Sequence, residues 1–268
     1  MSKADQFLQF PLCALTSPGE PKAVLDAIIS YGLTEAGLAV IRKRGIEADQ
    51  DTICAEDDID DTMAMAQDIG AELCGITLGS RHRCLEEYDR VAEFLQEWET
   101  RHGTDARVRI RRDVCFEVRD GGGMSFREFR ILCAIYSLLG THAYRAITFQ
   151  MIGARACGCK SARVKEAEIE ARRPLLEPFS IKQLRGTVAK LHELGWFARV
   201  TPDPHGRVTY YSHRMSGDAL RERILHRRTY SAGFHAEQRR QDAALAKRIL
   251  EKMGSFHQNG DSQQSLAS

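Results

Sequence analysis

The segment from Ser180 to Arg214 constrains the fold of this chain more than any other stretch of it. Ser180 and Gln183 form a capping-box pattern, in which the serine oxygen and the glutamine side chain each accept a hydrogen bond from the other residue's backbone amide. Gly195 supplies the left-handed residue that commonly ends a helix. The pattern therefore predicts a helix between these signals. Its buried stripe, at spacings of three and four, consists of Ile181, Leu184, Val188, Leu191 and Leu194.

The residues after this helix have the composition of a two-stranded hairpin. Residues 196–201 and 207–214 are rich in β-branched and aromatic side chains, and the segment 202–206 between them contains proline and glycine. Such runs on either side of turn residues are typical of antiparallel strands. We therefore predict a basic hairpin directly after the glycine stop.

Two further helices are predicted upstream. Ser125 and Glu128 form a second capping box that opens a helix over 126–139, and residues 146–157 can form a short second helix. The pattern Leu-Xaa-Xaa-Leu-Gly-Trp-Phe over 191–197, followed by a basic hairpin, resembles the winged helix-turn-helix family, in which the hairpin is the wing. The two upstream helices complete the three that the family requires. The charged insertion 158–179 departs from the family pattern, which has a turn of about 3–4 residues at that place.

The resemblance implies DNA binding and indicates which side chains would make the contacts. In that family the outward face of the third helix meets the major groove, and the wing meets the adjacent backbone or minor groove. The matching positions here carry cationic, amide or short side chains. The predicted DNA-binding residues are Lys182, Gln183, Arg185, Thr187, Lys190, Arg199, His205, Arg207 and Arg214.

The charge distribution selects the same part of the chain. Residues 1–100 hold 8 Lys and Arg against 20 Asp and Glu, a net charge of −12, whereas residues 101–268 hold 30 against 17, a net charge of +13. A strongly basic region is suited to neutralising phosphates, whose released counterions supply most of the sequence-independent affinity for nucleic acid. Charge and motif therefore indicate the same region independently.

The fold class that these patterns predict is α+β, in several parts. We predict an acidic α+β domain at 1–120, a winged-helix domain at 124–214, basic helices at 216–254 and a disordered tail at 255–268. Within the first part, the spacing of apolar residues predicts amphipathic helices over 22–44 and 83–100, and the alternation over 108–118 predicts a half-buried strand. The glycine-rich segment 120–123 is the predicted hinge, and Leu220, Ile224, Leu245 and Ile249 are predicted dimer contacts.

The sequence gives little sign of catalysis. The acidic run Asp57, Asp58, Asp60 and Asp61 is the best candidate for a divalent-metal site, but acidic helix starts are common and the ligand spacing is irregular. The sequence contains no GxxxxGK[ST], GxSxG or HExxH pattern. Its eight scattered cysteines are expected to be buried thiols. We therefore predict no enzymatic activity, metal or cofactor.

The function that we predict is that of a cytoplasmic, non-catalytic DNA-binding protein, with transcriptional regulation as the usual role of the resembled family. Its expected partners are DNA, a second copy of the chain and a protein that binds the acidic N-terminal part, but no membrane. One alternative is an accessory component of a mobile-element, replication or defence assembly that binds nucleic acid or protein. Another is a metal-dependent nuclease. The target sequence, and the choice between DNA and RNA, stay open.

Overall fold

The computed structural model describes residues 7–43, 56–74, 85–102, 106–159, 180–202, 208–227, 236–237 and 239–240, with the side chains of 56–60, 85 and 102 left aside. The chain divides into two compact units, Met1–Ser216 and Gly217–Ser268. Helices and two small antiparallel sheets make up the first unit, in agreement with the predicted α+β class.

The elements of the first unit form two successive groups along the sequence, and each group contains one of the two sheets. The first group comprises β1 (Phe7–Pro11), a 3-10 helix (Leu12–Thr16), α1 (Pro21–Lys43), α2 (Glu56–Leu73), α3 (Leu85–His102), β2 (Arg107–Arg111) and α4 (Arg112–Arg119). The second group comprises α5 (Phe126–Leu139), β3 (Arg145–Ala146), α6 (Phe149–Ala156), α7 (Ile181–Glu193), β4 (Ala198–Val200) and β5 (Tyr210–Ser212).

Helix α1 is the central element of the first group, packed against α2, α3 and β1. Four consecutive residues, Tyr31, Gly32, Leu33 and Thr34, are all buried. Four successive positions of an α-helix point in different directions, because one turn takes 3.6 residues. The predicted helix is confirmed in its extent, but the prediction of a single apolar face is wrong, since α1 is enclosed around its circumference over this turn.

The backbones of α1 and α2 touch at two glycines. A Cβ atom on Gly37 would lie 1.7 Å from the Ala66 carbonyl oxygen, and one on Gly70 would lie 1.9 Å from the Leu33 carbonyl oxygen. No side chain fits at either position without moving the opposite helix.

The first sheet pairs β1 with β2 in antiparallel register, with Leu8 opposite Ile110 and Phe10 opposite Val108. All four of these side chains are buried. The outward residues of β2 are exposed, as the alternation predicts, and these are Arg107, Arg109 and Arg111.

The predicted strand over 108–118 is wrong beyond Arg111, because the chain continues as helix α4. Val114 and Val118 are buried there, and a spacing of four satisfies both the alternation of a strand and one face of a helix. Asp113 lies in the first turn of α4, where a carboxylate is favoured by the helix dipole. The sequence pattern was therefore ambiguous from residue 112 onward.

The predicted hinge is a hydrogen-bonded turn within a continuous core. The amide of Gly122 donates to the Glu117 carbonyl at 2.8 Å, and the amide of Met124 donates to the Gly122 carbonyl at 2.7 Å. Val118 and Met124, on the two sides of the turn, belong to the same apolar cluster. Whether residues 1–120 and 124–214 can fold separately stays a prediction.

In the second group, α5, α6 and α7 pack against one another beside a three-stranded antiparallel sheet. The strand order is β3-β5-β4, so β5 lies in the centre. Both predicted capping boxes are present, Ser125 with Glu128 at the start of α5 and Ser180 with Gln183 at the start of α7. The charged insertion lies outside the described residues, apart from residues 158 and 159 at its start.

Residues 217–227 are helical and belong to the second unit. Leu220 and Ile224 are buried, with exposed fractions of 0% and 2%, so neither side chain is available to a second copy. Leu245, Ile249 and the tail 255–268 lie outside the described residues. The dimer stays a prediction that Leu220 and Ile224 no longer support.

Helix α1 is also long and apolar enough to cross a membrane, and among the described helices it is the one that meets this test. Two thirds of its most apolar window, 67%, is buried inside the fold. A core helix of a soluble protein has these properties, so the structure is consistent with a soluble protein.

Candidate nucleic-acid interface

Helix α7 buries a narrower stripe than its sequence predicts. Leu184, Val188 and Leu191 are buried with exposed fractions of 2% or less, whereas Ile181 and Leu194 are 52% and 55% exposed. The exposed pair occupies the first position and the C-cap of the helix. The core therefore covers only the middle of α7, and the prediction that both end residues are buried is wrong.

The face of α7 opposite the buried stripe is open. Lys182, Arg185 and Gly186 are exposed on it. A Cβ atom on Gly186 would have no other atom within 4 Å, so a ligand can approach the helix backbone at this position. Two of the predicted DNA-binding cations thus lie on an accessible helix face.

Another side of α7 is bound by α5. The Gln183 side-chain oxygen accepts hydrogen bonds from the Ser180 amide at 3.1 Å and from Arg127 Nη2 at 2.6 Å. Lys190 Nζ lies 2.6 Å from Glu128 Oε1. The polar groups of two predicted DNA-binding residues are therefore already engaged by the start of α5.

Glu128 is largely buried and has two polar partners. Its side chain is 14% exposed, and Oε2 accepts a hydrogen bond from the Ser125 amide at 2.8 Å. Burial alone would raise the pKa of Glu128, but the hydrogen bonds from Lys190 and Ser125 outweigh it and lower the pKa below its ordinary value. The Glu128 carboxylate is therefore ionised at neutral pH.

Two predicted cations from different elements meet on one aromatic ring. The guanidinium carbons of Arg185 in α7 and Arg199 in β4 lie 5.8 and 5.5 Å from the centroid of Phe149. Phe149 is the first residue of α6, directly after the N-cap Thr148. Contacts at these distances are in the range of cation–π attraction. The ring therefore holds both guanidinium groups near the start of α6.

Arg199 also lies close to the central strand of the sheet. Burial raises the pKa of the Tyr211 hydroxyl, and the nearby Arg199 guanidinium partly offsets the rise. Tyr211 itself is fully buried in the central strand β5. The role of Arg199 is therefore at least partly structural.

The hairpin that we predicted to be a wing is described at its base. The hydroxyls of Thr201 and Thr209 lie 3.0 Å apart across the hairpin. Arg214 is exposed just beyond β5, and its Nε donates a hydrogen bond to His213 Nε2 at 3.2 Å. His205 and Arg207, the predicted contacts at the tip, lie outside the described residues.

His213 is neutral in this arrangement. Burial lowers the pKa of His213, and the positive charge of Arg214 lowers it further. Because Nε2 accepts the bond from Arg214, the ring proton is on Nδ1, which is buried and has no partner among the described residues. The ring packs on Tyr136, with 5.3 Å between the ring centroids.

An open groove with a volume of about 620 Å³ runs between α5 and α7, and we call it the α5–α7 groove. The predicted site residue Thr187 lies in it. Its lining residues are Arg127, Glu128, Ser180, Lys182, Gln183, Gly186, Thr187 and Lys190. Sequence reasoning missed Arg127 and Glu128 as lining residues of this groove, and Phe149 as the ring that contacts Arg185 and Arg199. The capping box was the only local signal near the first two, and it indicates a helix start rather than a partner on α7.

The described residues show no arrangement suited to catalysis by a thiol or a metal. Burial raises the pKa of the Cys115 and Cys133 thiols well above the ordinary value, so neither is a ready nucleophile. The prediction of buried thiols is confirmed for Cys13, Cys74, Cys115, Cys133, Cys157 and Cys159. Among described residues no three His, Cys, Asp or Glu side chains could share a metal ion. The side chains of Asp57, Asp58 and Asp60 are outside that description.

Comparison with known proteins identifies no relative: no protein-family model matches the chain, and neither a curated protein nor a solved structure matches it.

Proposed function

We propose that this chain is a cytoplasmic, non-catalytic DNA-binding protein that uses α5, α6, α7 and the β3-β5-β4 sheet as a winged helix, with transcriptional regulation as its role. One observation carries the proposal. The order helix, strand, helix, helix, hairpin, with β5 between β3 and β4, is joined to an exposed cationic face on the third helix.

In this proposal α7 enters the major groove through its open face. Lys182 and Arg185 reach phosphates or base edges, and Gly186 permits close approach of the helix backbone. Arg199 shares Phe149 with Arg185, so both guanidinium groups are held in one place before DNA arrives. Ordering these groups in advance reduces the entropy lost on binding.

The alternative, an accessory component of a nucleic-acid assembly, is supported by a different surface. Helix α3 exposes four carboxylates at spacings of three and four, Glu86, Asp89, Glu93 and Glu97. An acidic helix face of this kind suits a basic protein partner. A regulator would prefer one duplex sequence strongly, whereas an assembly component of this kind would bind duplexes of different sequence with similar affinity.

The test is titration of the full-length protein with duplex DNA at several salt concentrations. We expect the logarithm of the binding constant to fall linearly with the logarithm of salt concentration, by about 0.9 per phosphate contact. Arg185→Ala should weaken binding, whereas Arg101→Ala should not, because Arg101 lies on α3 and pairs with Glu97. Absence of binding by the wild-type protein at low salt would overturn the proposal. Incubation of the same DNA with magnesium or manganese tests the nuclease alternative.

A further inference from the structure

The α5–α7 groove combines charge with small residues. Its lining contains three cations, Arg127, Lys182 and Lys190, and one carboxylate, Glu128. Gly186 and Thr187 are also in the lining, and the space beside Gly186 is open. Such a groove admits a narrow anionic chain that can approach the cations closely.

The groove is positioned by contacts between distant parts of the chain. Arg127 Nη2 donates to the Gln183 side-chain oxygen at 2.6 Å, and that oxygen is fixed by its second bond, from the Ser180 amide at 3.1 Å. A guanidinium held in this way loses less conformational freedom when it binds a phosphate, and its planar fork of donors suits phosphate geometry. Arg127 is not a contact that the winged-helix resemblance supplied.

Glu128 works against an anion in the same groove. Its carboxylate lies 2.6 Å from Lys190 Nζ, so a phosphate that approaches Lys190 must displace that bond. The carboxylate also repels any phosphate nearby, and an unfavourable charge of this kind is a common way to limit or select binding.

We propose that the α5–α7 groove binds the phosphodiester backbone of the DNA strand that flanks α7, with Arg127 as an added contact and Glu128 as the residue that limits affinity by holding Lys190. The inference rests on the proposed function, because it needs duplex DNA on the open face of α7. A backbone is favoured over an acidic peptide because the groove adjoins the exposed Lys182 on that face, so one ligand can use both surfaces.

The experiment compares full-length variants in the salt titration of one duplex. Arg127→Gln should weaken binding and reduce the steepness of the log-log salt dependence by about 0.9, the value of one phosphate contact. Glu128→Gln should tighten binding and increase the steepness by a similar amount, because Lys190 becomes available while the amide oxygen still accepts the Ser125 hydrogen bond. Arg101→Gln on α3 is the matched control and should leave both quantities unchanged.

Glu128→Gln keeps the test decisive if Arg127→Gln disturbs folding, because its expected effect on binding has the opposite sign and the amide retains the cap on the Ser125 backbone. If the wild type binds DNA and Arg127→Gln retains its affinity and salt dependence, or if Glu128→Gln weakens binding, the groove proposal is overturned and the proposed function stands. If the wild-type protein does not bind DNA, the proposed function fails and the groove proposal fails with it.

Discussion

Helices α1 and α7 represent two ways in which a helix can belong to this fold. Along α1, residues 31 to 34 are buried in succession, and its backbone touches α2 at Gly37 and Gly70. Helix α7 buries one stripe and leaves its opposite face open around Gly186. At residues 31 to 34, α1 exposes no face to which a ligand could bind, whereas α7 exposes the face opposite its buried stripe.

The difference shows that a glycine within a helix can occur in two opposite packing environments. At position 37 the glycine is required by the neighbouring backbone, whereas at position 186 the same residue has open space beside it. A sequence shows both as glycines within helices. Only the packing distinguishes them, and the comparison therefore leads to predictions about stability as well as about binding.

The largest effect is expected from Gly37→Ala. The new Cβ would lie 1.7 Å from the Ala66 carbonyl oxygen, so α1 and α2 would have to separate. We expect a loss of at least about 3 kcal/mol in the free energy of unfolding, the upper part of the range for overpacking, because the obstacle is backbone. Chemical denaturation of the full-length protein measures it.

Gly186→Ala is the matched control, a substitution of the same kind on α7. Alanine loses less conformational entropy than glycine in a helix, and its methyl group meets no atom here. We expect a gain of about 0.5–1 kcal/mol. Equal effects of the two substitutions would contradict the packing described for both helices.

The next effect distinguishes the two faces of α7. Leu184→Ala removes a side chain that is 2% exposed and should cost about 2–5 kcal/mol of folding stability. Arg185→Ala, one residue further along, should change stability by no more than about 0.5 kcal/mol while weakening DNA binding. Thermal melts and DNA titrations of the two variants provide the comparison. If Arg185→Ala unfolds the protein and Leu184→Ala does not, the faces are assigned the wrong way round.

The sequence predicted the local features of this fold well, because they depend on neighbouring residues. The capping boxes at Ser125 and Ser180 each require residues three positions apart, and both are present. The stripe through Leu184, Val188 and Leu191 follows from helical spacing alone. Where two periodicities coincide, as at Val114 and Val118, the same reasoning chose a strand in place of a helix.

The features that define the candidate site were beyond that reasoning. Lys190 and Glu128 are separated by 62 positions in the sequence, and the spacing of residues carries no information about such a contact. The burial of residues 31 to 34 on all sides of α1 could not be predicted either. The spacing of apolar residues in α1 is typical of an amphipathic helix, and the packing of α2 and α3 against α1 is a tertiary feature. Tertiary packing decided both outcomes.

A smaller effect concerns how α7 and the hairpin are joined to α5. The Tyr136 hydroxyl donates to the Trp196 carbonyl at 2.8 Å, in the turn between α7 and β4. Tyr136→Phe should cost about 0.5–1.5 kcal/mol, because the carbonyl loses its partner in a half-buried place. Tyr144→Phe is the control, since no hydrogen bond of the Tyr144 hydroxyl is found among the described residues. Similar unfolding free energies for the two variants would show that the Tyr136 bond contributes nothing.

The smallest effect is a pH dependence of the contact between α5 and α7. The pKa of Glu128 is lowered in the folded protein from its ordinary value of 4.5, so the folded state binds this proton less readily than the unfolded state. The stabilisation is therefore fully present above pH 4.5 and is lost as the pH falls through the lowered pKa. Because Lys190 is 53% exposed, solvent and salt screen the pair, and we expect it to contribute no more than about 1 kcal/mol. Denaturation of the wild type and Glu128→Gln at several pH values should show a constant difference above pH 4.5 that shrinks below it. A difference that persists in full at pH 2 to 3 would mean that the carboxylate charge is not what joins α5 to α7.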